Sequence, residues 1–352
     1  MMRNVVEFVR ILKAVGLRRF FKVLRISREV TPLVKGYALT QVIGSLQQLS
    51  FFELLQKGPA STEKLAQAFS LRADLLDSVL SYLYAAGILK KKADQWFLSE
   101  YGTFVTLEPH GLFLLYRAYG SIFNNLNPLL KGEVEYGREI HRDEPWMATG
   151  SAHIVRWLPV PVVMNWLAEF KCRSLLDIGC GAGDFLNEVG KSGAFNPLVG
   201  ADRSPDIIRL AATRNPGTEI TGPIHYHVAD AMIPDDLAHL KMQVPHIDAV
   251  SIMFVLHELV YVSVETARLF LSNLRQAYPA ARVFICELVA PPLEKRANAR
   301  SGNELLLYHS LSHQRPLPVE EWSRLFSAAG YKIEKMETFD LMAQAYFTLL
   351  PR

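Results

Sequence analysis

The chain has 352 residues, half of them hydrophobic and 11% aromatic, with 38 Lys and Arg against 35 Asp and Glu. That length suits two domains with sizeable cores. No apolar run approaches the roughly 18 residues of a membrane span, and charges stand where a signal peptide would have its apolar core, so a globular cytoplasmic protein is expected. Cys172, Cys180 and Cys286 lack C-x-x-C spacing and fall in or beside apolar strands, which predicts reduced core thiols.

Charge is uneven along the chain. Residues 1–30 hold eight bases (Arg3, Arg10, Lys13, Arg18, Arg19, Lys22, Arg25, Arg28) against Glu7 and Glu29, a net +6 that leaves −3 for the rest. With Val5, Phe8, Val9, Leu12, Val15 and Phe20 near helical spacing, this predicts a basic amphipathic helix. Such a helix can touch an anionic membrane surface; the more ordinary expectation is packing on its own domain or a second subunit, with the charges solvated. Residues 31–58 then read as one long helix closed by Gly58-Pro59, and Ser61-Thr62-Glu63-Lys64 as a helix start. A further helix spans Ala73 to Ala86. Ile88–Lys92 and Trp96–Leu98 read as a hairpin.

Three helices and a two-stranded wing over residues 31–102 make a winged-helix arrangement. Its third helix carries Asp74 and Asp77 and no base, which argues against contact with a phosphate backbone and so against a DNA-binding regulator. The layout, with the phrases around Leu65-Ala66 and Leu83–Gly87, resembles the N-terminal dimerisation domain of plant-type and bacterial small-molecule O-methyltransferases. The resemblance implies a homodimer. Residues 103–170 are helical, aromatic and broken by Pro and Gly, placed to roof a substrate site; there Arg117, with Tyr116, is a candidate anchor for an anionic substrate.

From Leu175 the pattern changes to apolar strands that end in special residues. Asp177-Ile178-Gly179-Cys180-Gly181-Ala182-Gly183 runs from strand into helix. Glycines at 179 and 181 permit a tight turn and close ligand approach, and Gly183 permits close helix packing. A dinucleotide fingerprint needs a glycine where Asp184 stands, so the motif fails that template. It resembles motif I of class I S-adenosylmethionine (SAM) dependent methyltransferases. Asp202, followed by Arg203, ends the next strand, where an acid suits a ribose diol. Asp230-Ala231-Met232 ends the third; in the resembled family this acid accepts from the adenine amino group and its neighbours pack on the ring. The fold expected for residues 171–352 is therefore α/β, a Rossmann-like class I methyltransferase domain, with SAM as cofactor.

The fourth strand delivers His257-Glu258 at its carboxyl end, matching the His-Asp position of the O-methyltransferases, in which the histidine deprotonates a hydroxyl. Farther on, His309 and His313 lie four apart and are expected on one helical face. His257, Glu258 and His309 then resemble the metal site of 2-oxo acid C-methyltransferases such as the phenylpyruvate enzyme, with Glu258 in place of aspartate and His313 as a neighbouring partner, a general base or an alternative ligand. The metal would be iron or zinc, stabilising an enolate. Two readings follow: metal-assisted C3-methylation of a 2-oxo acid, placed first, and metal-free O-methylation with His257 as base. A SAM-sensing regulator stands third.

Overall fold

The computed structural model describes residues 2–107, 110–214, 222–296 and 302–352. It divides into two compact units, residues 1–117 and 118–352.

The first unit begins with α1 (Met2–Glu29), interrupted at Gly16 by a non-helical φ of 75°. The single helix expected over 31–58 is two, α2 (Thr31–Gln47) and α3 (Phe51–Lys57), because Ser50 adopts a left-handed conformation. This break turns Phe51 and Phe52, both fully buried, into the unit's core. Next come α4 (Thr62–Phe69), N-capped by the Ser61 hydroxyl, which accepts from Lys64 N, and α5 (Ala73–Ala85). The wing is β1 (Leu89–Lys92) paired antiparallel with β2 (Gln95–Leu98). Ile43, Phe52, Leu65, Leu80 and Trp96 close a core beneath it, and α6 (Glu100–Leu107) and α7 (His110–Ala118) follow.

The second unit opens with α8 (Gly120–Asn124), α9 (Leu126–Lys131), α10 (Glu144–Val155) and α11 (Pro159–Glu169). Strands and helices then alternate: β3 (Leu175–Ile178), α12 (Asp184–Lys191), β4 (Leu198–Asp202), α13 (Pro205–Arg214), β5 (Ile224–Val228), α14 (Pro234–Gln243), β6 (Ala249–Met253), α15 (Leu256–Val262), α16 (Val264–Ala277) and β7 (Arg282–Leu288). After α17 (Leu293–Arg296), α18 (Asn303–Leu311) and α19 (Val319–Ala328), the strands β8 (Tyr331–Phe339) and β9 (Gln344–Pro351) finish one seven-stranded sheet. Its order is β5-β4-β3-β6-β7-β9-β8; β3 to β7 are parallel and β9 is antiparallel to both its neighbours.

Helices cover both faces, so the parallel strands read as apolar runs rather than as alternations. Leu176, Ile178, Val250 and Ile252 point into one core and Leu175, Leu198, Ala249 and Phe284 into the other, as a two-residue period requires. Each such aliphatic side chain contributes roughly 1.5–3 kcal/mol by leaving water. All three cysteines are free thiols in this interior. Chain order reverses between β3 and β6, and the crevice at their carboxyl ends is where such sheets take ligands.

Candidate active site

The three glycines at the end of β3 differ in what they make possible. Gly179 (φ +73°) has no room for a side chain, since a Cβ there would lie 2.6 Å from Val255 Cγ2. Gly181 (φ +53°) faces open space, with nothing within 4 Å of such a Cβ, the condition for a ligand to approach the main chain. Gly183 (φ +79°) lies against Tyr226. The Asp202 carboxylate accepts from Gly181 N at 3.2 Å and Ser204 N at 2.9 Å, tying the glycine turn to the end of β4. Asp230 accepts from Met232 N at 2.9 Å and so shapes the loop after β5. Asp177 is inside the sheet, where it accepts from Ser251 Oγ at 2.6 Å across the β3–β6 pair. Burial pushes its carboxyl up to about 7, the Ser251 hydrogen bond opposing.

A cavity of about 600 Å3 opens at this edge of the sheet, within the usual size of small-molecule sites. Of the residues expected to hold SAM, Gly179, Asp202, Arg203, Asp230, Ala231 and Met232 line it. Asp177, Gly181 and Gly183 are not in the lining; they shape the turn behind it. The donor set, carboxylates at the ends of the adjacent strands β4 and β5 with an open glycine beyond them at the end of β3, fits a ribose, an adenine edge and a main-chain-bound methionine tail. Toward the other end the lining passes to Tyr136, Arg142, Met147, Glu258, Tyr261, His313 and Gln314.

His257 begins α15 directly beyond β6. Its Nδ1 lies 2.7 Å from Glu287 Oε2, and both side chains are buried. The other Glu287 oxygen accepts from Leu256 N at 2.6 Å, which holds the helix start and the ring in register. Burial works against protonating His257, but the Glu287 carboxylate, by charge and hydrogen bond, and Glu258 outweigh it and raise the pKa above the ordinary imidazole value. Nε2 has no hydrogen-bond partner among the described residues. His257 itself does not line the cavity, whereas Val255, Glu258 and Leu259 beside it do.

The metal expected at His257, Glu258 and His309 finds no matching donor set. Among the described residues no group of three or more His, Cys, Asp or Glu side chains is arranged to hold a metal ion. The Glu258 carboxylate is instead held by Gln314 Nε2 at 3.0 Å and Arg142 at 3.3 Å. Burial raises its pKa, but the charges of His257 and Arg142, with the Gln314 bond, bring the net value below the usual carboxylate range. His309 is edge-on to His257, ring centroids 5.3 Å apart, and its Nδ1 faces the Leu305 carbonyl. Burial and the neighbouring His257 charge drive its pKa down to about 3.

Nor do His309 and His313 share a helical face. The helix α18 stops at Leu311, the Ser312 hydroxyl donates to Tyr308 O at 2.6 Å, and His313 turns to a left-handed φ of 57°. That turn carries its ring into the cavity, stacked on Tyr261 at 4.6 Å and edge-on to Tyr136 at 5.1 Å. Arg117, expected to anchor an anionic substrate, is committed within the first unit: its guanidinium donates to Gln48 at 3.1 Å and Gln41 at 3.0 Å. Neither it nor Tyr116 lines the cavity. The cavity's arginine toward the substrate end is Arg142, 10% exposed and bonded to Glu144, Glu258 and Tyr119.

Glu287 and Arg142 escaped the sequence reading. Glu287 had a usable signal, an acid at the carboxyl end of an apolar strand at the ligand edge; Arg142 stands in a charged loop without spacing to mark it.

A methyltransferase-domain family matches residues 153–336, more than half of the chain. The chain belongs to that family. With the SAM-shaped edge of the sheet it is a SAM-dependent methyltransferase. Demethylspheroidene O-methyltransferase of Cereibacter sphaeroides is 26% identical over 305 residues, 81% of this chain and 75% of that one. Among solved structures, human N-acetylserotonin methyltransferase in complex with SAM superposes with a TM-score of 0.70 at 14% identity, covering 93% of this methyltransferase and 98% of that chain. Mitomycin 7-O-methyltransferase gives 0.63 at 16% identity, covering 94% and 100%.

Proposed function

We propose that this methyltransferase methylates a hydroxyl oxygen of a small organic molecule, with His257 as general base and Glu287 as the residue that positions it. The observation that carries the reading is the buried His257–Glu287 pair at 2.7 Å. A carboxylate on Nδ1 fixes the tautomer that leaves Nε2 free to accept a proton, and it stabilises the imidazolium that results. SAM, when bound, supplies an electrophilic methyl group on a sulfonium sulfur. Asp202 and Asp230 hold the ribose and adenine ends, Gly181 leaves its main chain open to the methionine end, and Tyr136, Tyr261 and His313 face the acceptor with aromatic surface. The acceptor hydroxyl has to reach Nε2 from the Glu258 side of the cavity, where Arg142 and Gln314 keep that carboxylate in place.

The named relatives that act on oxygen, the demethylspheroidene and mitomycin enzymes, support this choice. C3-methylation of a 2-oxo acid, placed first on sequence, rested on a metal whose three proposed ligands do not converge. The test is transfer from methyl-labelled SAM to a panel of phenols, aliphatic alcohols and 2-oxo acids, with the new bond located by NMR. Methoxy products, lost in His257→Gln with SAM affinity retained, are expected. A carbon-bound methyl on a 2-oxo acid would overturn the reading.

A further inference from the structure

Side chains are described for most of the stretch from Val6 to Val42, and not one of them is buried; burial begins at Ile43. A helix of this length gains too little from its own hydrogen bonds to leave so much apolar surface in water, so a partner is required. Exposed apolar side chains recur along the whole segment: Phe8 is 44% exposed, Leu17 62%, Phe21 60% and Ile26 46%, followed by Leu33 at 73% and Tyr37 at 63%. Beyond the break at Gly16 the two kinds of residue separate. At 100° per residue Leu17, Phe20, Phe21 and Leu24 share one face, while Arg18, Lys22 and Arg25 form a neighbouring face roughly 115° around the helix, with Ile26 on the basic side and Arg28 on the apolar one. Phe8 and Phe20 meet edge to face at 6.1 Å, so the two halves of α1 present their aromatic residues together.

We propose that α1 and the start of α2 lie on the surface of an anionic lipid bilayer, apolar face in the headgroup boundary and basic face against the phosphates. Charge decides among the occupants. Residues 1–30 carry +6, which an anionic membrane neutralises, whereas a second copy carries the same +6 and brings no counter-charge. The only ion pair described within α1, Arg25–Glu29 at 2.8 Å, removes little of that excess. No helix of the described residues is long and apolar enough to cross a membrane, so the contact is peripheral.

The test is co-sedimentation of the full chain with phosphatidylcholine vesicles, with and without phosphatidylglycerol, at about 0.05 M and about 0.5 M salt. Pelleting with the anionic vesicles only, reversed at high salt, is expected. The Arg18→Glu/Arg19→Glu/Lys22→Glu variant should weaken it by about tenfold or more, and Leu17→Ser/Phe21→Ser should weaken it while leaving the salt dependence in place. SAM titration confirms that each variant keeps a folded second unit. A chain that stays in the supernatant with both vesicles, or pelleting that the charge reversal leaves intact, overturns the proposal. If the unpelleted chain is a dimer in sedimentation equilibrium and Leu17→Ser/Phe21→Ser makes it monomeric, the face belongs to a second copy.

Discussion

Gly183 and Tyr226 share one space: a Cβ on the glycine would stand 2.3 Å from the tyrosine hydroxyl. Gly183→Ala must both adopt a left-handed φ and displace that ring, and a loss of about 2–4 kcal/mol in stability is expected. Gly181→Ala meets no protein atom and should lose only about 1–2 kcal/mol, yet weaken SAM the more, because strain at its left-handed φ disturbs the main-chain bond that fixes the Asp202 carboxylate at the cavity. Denaturant unfolding and SAM titration of the two variants check this; a stable Gly183→Ala with weakened SAM would reverse the assignment.

The rate of methyl transfer should rise with pH as His257 loses its proton. Its pKa is raised, so the midpoint of kcat/KM is expected above the ordinary imidazole value of about 6.5. Glu287→Gln removes the charge that raises it: the midpoint moves to lower pH and the plateau falls by about 10- to 100-fold. KM for SAM should stay constant. An unmoved midpoint would detach Glu287 from the base.

His309 and His257 should affect stability in opposite pH directions. The buried His309, at about 3, favours the neutral ring; its contribution is full above about pH 6.5 and lost as the pH falls toward 3, because the unfolded chain then binds the extra proton. His257, with a raised pKa, contributes fully below about 6.5 and less as the pH rises through its folded value. Chemical denaturation of His309→Gln between pH 7 and pH 4 should show a shallower loss than the native chain, by up to a few kcal/mol. An identical slope would mean that His309 is protonated in the fold.

Removing Arg142 leaves Glu258, whose side chain is 38% exposed, with Gln314 and His257. Arg142→Met should raise the Glu258 pKa, lower stability by about 1 kcal/mol or less because the solvent-exposed carboxylate is screened, and reduce kcat with little change in SAM affinity. Thermal melts and steady-state kinetics measure these effects. Unchanged kcat would make Arg142 a purely structural strut.

What the sequence disclosed was local. The glycine turn, the acids at 202 and 230, and His257 at a strand end are each set by a few consecutive residues whose backbone demands are visible in their types. The break at Ser50 was hidden because apolar spacing continues through it, and only the burial of Phe51 and Phe52 explains it. The helical pairing of His309 with His313 failed for a related reason: periodicity ran on past Leu311, but the chain left the helix two residues before His313. Arg117 and Arg142 are alike in composition, and only folding decides that one meets glutamines and the other the cavity. Glu287 lies 30 residues from the histidine it serves, a distance no motif spans.

The position of β9 also bears on the order in which the sheet can form. Since β8 pairs only with β9, and β9 must first lie between it and β7, β8 leaves the ribosome with no partner and waits for the chain that follows. Until then β7 presents an open edge beside Glu287, and the His257–Glu287 pair stands at the rim of a half-built sheet. In a cell this is the interval in which a chaperone, or another nascent copy, would meet the chain.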